Sequence, residues 1–446
     1  MRDIAVFLII FGSLPFIFKR PAIGVMVYTW LSLMNPHRLT YGAAYDFPFA
    51  ALIAVATALS LVLSKQPKGF PRTPVTILLL VFTAWMTFTS FFALEPTLVW
   101  REWDRVMKTM FMVFISLMAL NTEEDLKRYV WVVALSLGIY GLKGGIFVLL
   151  SGGNFKVYGP DGSYIAENNS MALALVTILP LLWYLRGQVK NKWVSLFMLA
   201  MTIATSIAAV GSYSRGALVG GAAMLGLLWL KSKNKGVTAI AVIAMVALVA
   251  LIMPPQWFDR MDSIGEYKED GSAMGRINAW YFAFNVASHN ILGGGFNVFS
   301  MRQFAIYAPD PLDYHVAHSI YFQVLGDHGF VGLGMFLLLL VLAWRSGSRV
   351  IQFCGSADEL KWASDLAKMA QVCIVGYAVS GAFLSLAYFD LYYDILIILV
   401  VLEKFLLLKR DRHGVPVPYV PLPPAPVKKN ARSALNKARS NVHPSS

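Results

Sequence analysis

The sequence predicts an all-α polytopic membrane protein of about 12 transmembrane helices, with one long loop outside the cytoplasm that contains amphipathic helices. Three observations predict it. Of the 446 residues, 57% are hydrophobic and only 14% charged, against roughly 25% charged in soluble domains. The apolar residues are clumped: runs at 47–64, 74–93, 129–150, 236–253 and 329–344 carry almost no charge, and the longer ones reach the ~20 residues that cross a bilayer as helix. The short connections at Lys65/Lys68/Arg72, Arg186/Lys190/Lys192 and Lys231/Lys233/Lys235 are cationic, which assigns them to the cytoplasm together with the basic tail. Backbone in lipid must satisfy itself, so helices are the element the runs imply.

In chain order, 4–18 and 21–35 are short apolar segments, expected to tilt or dip rather than span. The first lacks a small-residue cleavage site and leads through Lys19 and Arg20 into the second, so it reads as retained. With the later runs this gives 12 or 13 apolar segments, divided into helices one to about ten (1–253), a large loop (254–317), C-terminal transmembrane helices (318–408) and a basic tail (409–446). Threading outward from the cationic connections puts 95–108, 151–169, the turn 211–216 and the loop 254–317 on the opposite face. The loop holds seven acids against four bases, and 275–288 reads as an amphipathic helix, with Ile277, Trp280, Tyr281 and Phe284 at helical spacing along the membrane surface. The tail is Pro-rich, then basic, with eight Lys/Arg to one Asp. It reads as a disordered cytoplasmic segment touching anionic lipid, so the formal charge of +13 does not make this a nucleic-acid binder. Cys354 and Cys373 fall on the cytoplasmic side, where a structural disulfide is not expected, and no Cys/His zinc pattern occurs. No internal repeat is evident, which argues against a secondary transporter.

Cations beside apolar segments on the outer side are the informative ones. Arg215 sits in Gly-Ser-Tyr-Ser-Arg-Gly (211–216), a turn that restricts where its guanidinium reaches. There it can bind a phosphate bidentately or snorkel to headgroups. Arg276 is followed one turn later by Trp280, with His289 beyond, and its alternative is a solvated helix face. Arg101, Arg105 and Lys108 form a stripe at i, i+4, i+7, with Glu102 and Asp104 at pairing distance. Lys143 lies between glycines in an apolar segment, as a functional cation or one that snorkels. His315 and His318 are three apart, but no further ligand closes a zinc shell. A histidine beside cations is instead a neutral base, because nearby positive charge lowers its pKa; the alternative is an interfacial imidazole satisfied by backbone. Arginines for an anion and a histidine for a proton suit displacement of a phosphate or pyrophosphate leaving group. The run Gly293-Gly294-Gly295 either cradles a phosphate or turns the chain.

Ser-Tyr-Ser-Arg-Gly (212–216), Gly-Arg (275–276) followed by Trp280, and His-Ser-Ile-Tyr-Phe-Gln-Val-Leu-Gly-Asp-His-Gly-Phe-Val-Gly (318–332) resemble, in that order, the C-terminal motifs of the O-antigen ligase and polymerase superfamily. The N-terminal half is similar to exosortase-associated O-glycosylation ligases, through Asn-Pro-His-Arg-Leu-Thr-Tyr-Gly (35–42), Gly-Leu-Lys-Gly-Gly (141–145) and Gly-Pro-Asp-Gly-Ser-Tyr-Ile-Ala-Glu-Asn-Asn (159–169). The resemblance implies a metal-independent, cofactor-free inverting glycosyl transfer at the periplasmic face of the bacterial inner membrane. The donor it implies is a glycan on undecaprenyl pyrophosphate, and the acceptor of a ligase is a lipid A-core sugar hydroxyl. Membrane lipids are the other partners, and nucleic acid is not one. Carried over, Arg215 and Arg276 hold the donor pyrophosphate and His318 activates the acceptor hydroxyl. The Arg101 stripe is a second-rank donor contact, and His315, His289, Lys143, Asn168, Asn169 and Arg302 are possible substrate contacts. Ser319 stands where the family often has Asn, and Asp327 where Glu is common. A polymerase or a protein O-oligosaccharyltransferase would use the same donor, and an anion or glycolipid transporter is the reading from another class.

Overall fold

A computed structural model describes residues 1–232, 234–262 and 271–413, and among these every regular element is helical. Two apolar helices, α1 (Arg2–Lys19) and α2 (Pro21–Met34), lead through a short 3₁₀ turn at Pro36–Leu39 to α3 (Phe49–Leu63). Then come α4 (Pro74–Ser90), α5 (Pro96–Ala119), α6 (Glu123–Leu150), α7 (Asn168–Gln188), α8 (Lys192–Val210), α9 (Arg215–Lys231) and α10 (Lys235–Ile252). Three helices lie in the long loop: α11 (Pro255–Asp262), α12 (Gly271–His289) and α13 (Met301–Tyr307). Finally α14 (Ile320–Cys354), α15 (Lys361–Gly381) and α16 (Asp390–His413) return to the bundle. The chain divides into two compact units, Met1–Leu406 and Leu407–Ser446, and every side chain discussed below belongs to the first. Expectations that fall on Lys233, on Glu266, Lys268, Glu269 and Asp270 of the loop, and on 414–446 of the tail lie outside the described residues.

The helices start where local chemistry allows. Proline occupies the first position of α2, α4 and α5, where a missing N–H costs nothing. Side chains of Thr73, Thr122, Asn191 and Ser214 accept from the first backbone N–H groups of α4, α6, α8 and α9. Among the described residues, five helices (α6, α7, α8, α10 and α14) are long and apolar enough to cross a membrane, and α2, α3 and α4 are shorter apolar helices. The α5 and α16 helices instead carry charge, including Arg101, Glu102, Asp104, Arg105 and Lys108 in one and Asp390, Asp394, Glu403 and Lys404 in the other. Gly141 and Gly145 of α6 face Thr205 and Ala204 of α8 so closely that a Cβ would collide, and Gly144 lies close to Ala208. Small residues here let two backbones approach. Both cysteines are buried.

The apolar run at 329–344 proves to be part of a longer helix broken at Gly329, whose φ of 68° and ψ of −172° are not helical. A break frees the carbonyls of residues 326, 327 and 328 from their partners four residues on. All three are taken up. Gly294 N–H donates to the Gly326 carbonyl and Gly295 N–H to that of Asp327, each at 2.8 Å. Trp85 Nε1 donates to the carbonyl of His328 at 3.0 Å. Gly293 N–H is used as well, on Asn290 at 2.8 Å. The glycine run is therefore a clamp on broken helix and offers these N–H groups to no phosphate.

The long loop packs as a layer of its own. Ala279, Phe282 and Val286 of α12 form a buried cluster with Val298 and Phe304, and Ser300 and Gln303 at α13 donate to Glu95 ahead of α5, at 2.8 and 3.1 Å. The four residues expected on one apolar face of α12 divide between two surroundings. Tyr281 and Phe284 are 58% and 49% exposed, while Trp280 turns inward to stack on Phe322 with ring centroids 5.0 Å apart. Folding back onto α13 gave the helix a second apolar partner that periodicity alone cannot announce.

Only glycine adopts the Gly329 conformation without strain, and an added Cβ would also press on the Ile291 carbonyl. Gly329→Ala should destabilise the protein by about 1–3 kcal/mol, whereas Gly334→Ala on the same helix, whose Cβ would meet nothing, should leave the melting temperature in detergent unchanged.

Candidate active site

Four hydrogen bonds converge on the turn between α8 and α9. Asn168, the first residue of α7, donates from Nδ2 to the Ser212 carbonyl at 2.7 Å. Tyr213, in the left-handed region at φ 62°, donates its hydroxyl to the Gly153 carbonyl at 2.7 Å. From the loop, α11 lies against the same turn: Trp257 Nε1 donates to Val210 at 3.1 Å and Arg260 Nε to Tyr213 at 3.2 Å. The turn thus pins α7, the 151–153 segment and α11.

A concavity of about 360 Å³ opens beside this turn, lined by Asn169, Tyr213, Ser214, Arg215, Gly216, Arg260, Arg276, Phe383 and Leu384. Three half-buried guanidinium groups come from three different helices. Arg215 is the first residue of α9, so its charge adds to the positive end of that helix and to N–H groups without intrahelical partners. Arg260 lies in the last turn of α11. Arg276 lies on α12, one turn before Trp280. Forked donors in this number suit an anion with several oxygens.

The α12 helix also fixes His318. Asn278 donates to the carbonyls of Asp310 and Asp313, both at 2.9 Å, and accepts from Asp310 N–H at 3.0 Å. Trp280 Nε1 donates to the Ala317 carbonyl at 2.9 Å. The segment from 310 to 317 is thereby laced to the helix that carries Arg276, and His318 follows at φ 43°, a left-handed conformation that costs a non-glycine residue of order 1 kcal/mol. His318 is not itself part of the concavity lining, but it feels the Arg276 charge. Burial first, then Arg276, then His315 push its pKa down to about 4, so its imidazole is neutral at physiological pH. His315 lies with its ring centroid 6.5 Å from that of His318, and its Nε2 is 2.8 Å from Asp313 Oδ1.

Most of the other residues singled out from the sequence stand elsewhere. In the α5 stripe Lys108 pairs with Asp104 at 2.5 Å. Arg105 lies over the Tyr164 ring at 3.4 Å, and it is Tyr164 that donates to Glu102, at 3.2 Å; the tyrosine comes between the pair that spacing alone would join. The Tyr164 ring packs on Phe389 at 5.9 Å, at the far end of the connection whose Phe383 and Leu384 line the concavity. Arg101 is exposed outside it, as are Lys143 on the outer face of α6 and Arg302 on α13. His289 closes α12, with Nδ1 2.8 Å from the Asn285 carbonyl and roughly 20 Å along the helix axis from Arg276. Asn168 holds the turn and Asn169 lines the concavity. Sequence reasoning missed Arg260, counted there only among the loop bases. Its one signal was helical spacing from Trp257 after Pro254-Pro255, where a helix can begin.

Residues 199–337 match the family model described as O-antigen ligase. Over these residues the match supports the O-antigen ligase superfamily. The match contains Arg215, Arg260, Arg276 and His318. Residues 1–190 match a family of unknown function. No curated protein matches the chain. The superfamily and the apolar helices together describe a multi-pass bacterial membrane protein of O-antigen ligase or polymerase type, a glycosyltransferase-like enzyme with lipid-linked glycan substrates.

Diethyl pyrocarbonate acylates neutral imidazole, so the rate at His318 should follow its deprotonated fraction with a midpoint at about pH 4. Arg276→Gln removes one of the charges that depress it, and the midpoint should move up, by less than the full distance to 6.5 because burial is the larger cause. Peptide mapping after timed labelling reads both values.

Proposed function

We propose that the protein is an O-antigen ligase, transferring glycan with inversion from undecaprenyl pyrophosphate to a lipid A-core sugar hydroxyl. The observation that carries this is the convergence of Arg215, Arg260 and Arg276 on one concavity, with neutral His318 beside Arg276. In the step, the acceptor oxygen attacks the anomeric carbon, and the carbon–oxygen bond to pyrophosphate breaks. The departing pyrophosphate gains negative charge, which the arginines stabilise more strongly than they do the ground state. His318 accepts the acceptor's proton as the bond forms. The guanidinium groups supply the charge stabilisation, so the proposed reaction needs neither metal nor cofactor.

In this reading the concavity and the loop 254–317 face the periplasm, about 12 helices cross the inner membrane, and the C-terminus is cytoplasmic. The cationic connections support that orientation. His315 steadies His318, Asn169 contacts the donor, and the Arg101, Arg105, Lys108 stripe meets the glycan or lipid further out. Joining repeat units or glycosylating a protein hydroxyl would use the same donor site. A knockout in cells with an intact core separates these: loss of the high-mass lipopolysaccharide ladder with full-length lipid-linked glycan accumulating supports ligation, and accumulation of single repeat units refutes it.

With purified protein, lipid-linked donor and core acceptor, Arg215→Ala and Arg276→Ala should each lower turnover by about 100-fold or more. His318→Gly relieves the positive φ while removing the imidazole. It should keep or raise the melting temperature and still lose about 100-fold in rate; unchanged turnover would remove His318 from the mechanism.

A further inference from the structure

A second, small cavity lies between α2, α5 and α16 and takes no part in the reaction above. Its polar lining is Tyr28 and Thr29 of α2, Thr109 and Ser116 of α5, and Asp390 and Asp394 of α16. The two aspartates are one helical turn apart and share a face. Asp390 accepts from the Thr109 hydroxyl at 3.2 Å, and Asp394 accepts through Oδ1 from Tyr129 of α6 at 2.5 Å. The second oxygen of Asp394 is buried without a hydrogen-bond partner, in a residue only 6% exposed. An ionised carboxylate left so in an apolar bundle is costly, and intramembrane acids commonly mark ion sites.

Charge and donor type identify the ligand. Arg105 on α5 is the cation that acts on Asp390, whereas the charged neighbour acting on Asp394 is Asp390 itself. The elements α2 and α6 bring only hydroxyls, from Tyr28, Thr29 and Tyr129. Calcium asks for roughly six to eight oxygens and magnesium keeps several waters in near-octahedral order, which is more than this small cavity supplies; a monovalent cation asks less. Every polar lining atom is an oxygen, a set that favours hard cations over those preferring nitrogen or sulfur. We propose that this cavity binds one sodium ion at Asp394, with neutral oxygens from Tyr28, Thr109 and Ser116.

The test uses the full chain in detergent, in NaCl or choline chloride at equal ionic strength. Sodium should raise the melting temperature saturably, by about 2 °C or more, and should slow modification of Asp394 by a hydrophobic carbodiimide, which reacts with protonated carboxyls. Asp394→Asn, which keeps an acceptor for Tyr129, should abolish the difference between the two salts, and Thr109→Val should raise the sodium concentration needed for half the effect. Equal melting in both salts, with carbodiimide modification indifferent to sodium, overturns the proposal and assigns the missing charge to a proton. A sodium response that survives in Asp394→Asn overturns it as well.

Discussion

The structure depends on one constraint: in a bundle this apolar, every backbone group that leaves a helix needs a partner from within the protein. The constraint is visible where α14 breaks. Three carbonyls are released around Gly329, and the chain meets them with Gly294, Gly295 and the Trp85 indole. A Cβ on Gly293 would collide with the backbone of Asp327, His328 and Gly329, so the glycine run lets the loop lie directly against the break. The same requirement governs the connection between α15 and α16. There Tyr377 donates to Leu386 at 2.8 Å, Tyr393 to Ala387 at 3.1 Å, and Gln323 accepts from Ala387 N–H at 3.1 Å. At both places non-helical backbone enters the interior where loop N–H groups or side chains replace the missing ladder.

These substitutions position the chemistry. The clamp at Gly329 anchors the loop that carries α12, and the tied connection holds Phe383 and Leu384 against the arginines. Repulsion among three guanidinium groups opposes their convergence, yet each is carried on an element fixed by contacts remote from its charge. Trp257 holds α11, Asn278 and Trp280 lace the histidine segment to α12, and Ser214 caps α9. Three guanidinium groups are thereby brought to one opening by contacts made elsewhere in the fold.

Much of this was legible in the sequence. Long uncharged runs gave the all-helical class because lipid leaves the backbone few other options. Arg215, Arg276 and His318 stood out because cations and imidazoles beside apolar segments are expensive. What stayed hidden depends on pairing between distant segments. Arg260 reaches the concavity because Trp257 finds Val210, and nothing local to α11 encodes that. Glu102 and Arg105 have the spacing of an ion pair, but a tyrosine from another connection comes between them. A glycine run reads alike whether its N–H groups meet a ligand or a carbonyl. The 35-residue α14 was visible only from 329 onward, because Asp327 and His328 interrupt the apolar pattern that a buried partner, Tyr388, makes tolerable for the acid at 2.9 Å.

A histidine whose pKa lies at about 4 is neutral when needed but is a weak base, and under the proposed reaction this becomes an advantage. Two of the causes that depress it are charges, and the larger of these is Arg276. A pyrophosphate docked on Arg276 brings negative charge to the same place, offsets the guanidinium, and raises the basicity of His318 toward its ordinary value. Burial is untouched by docking, so the recovery is partial. The base is then weakest when the concavity is empty and strongest when a donor is present and the acceptor proton must be taken. One arginine in contact with both the leaving group and the base would serve to couple them: it stabilises charge on the departing oxygen while its field, once neutralised, releases the imidazole to act.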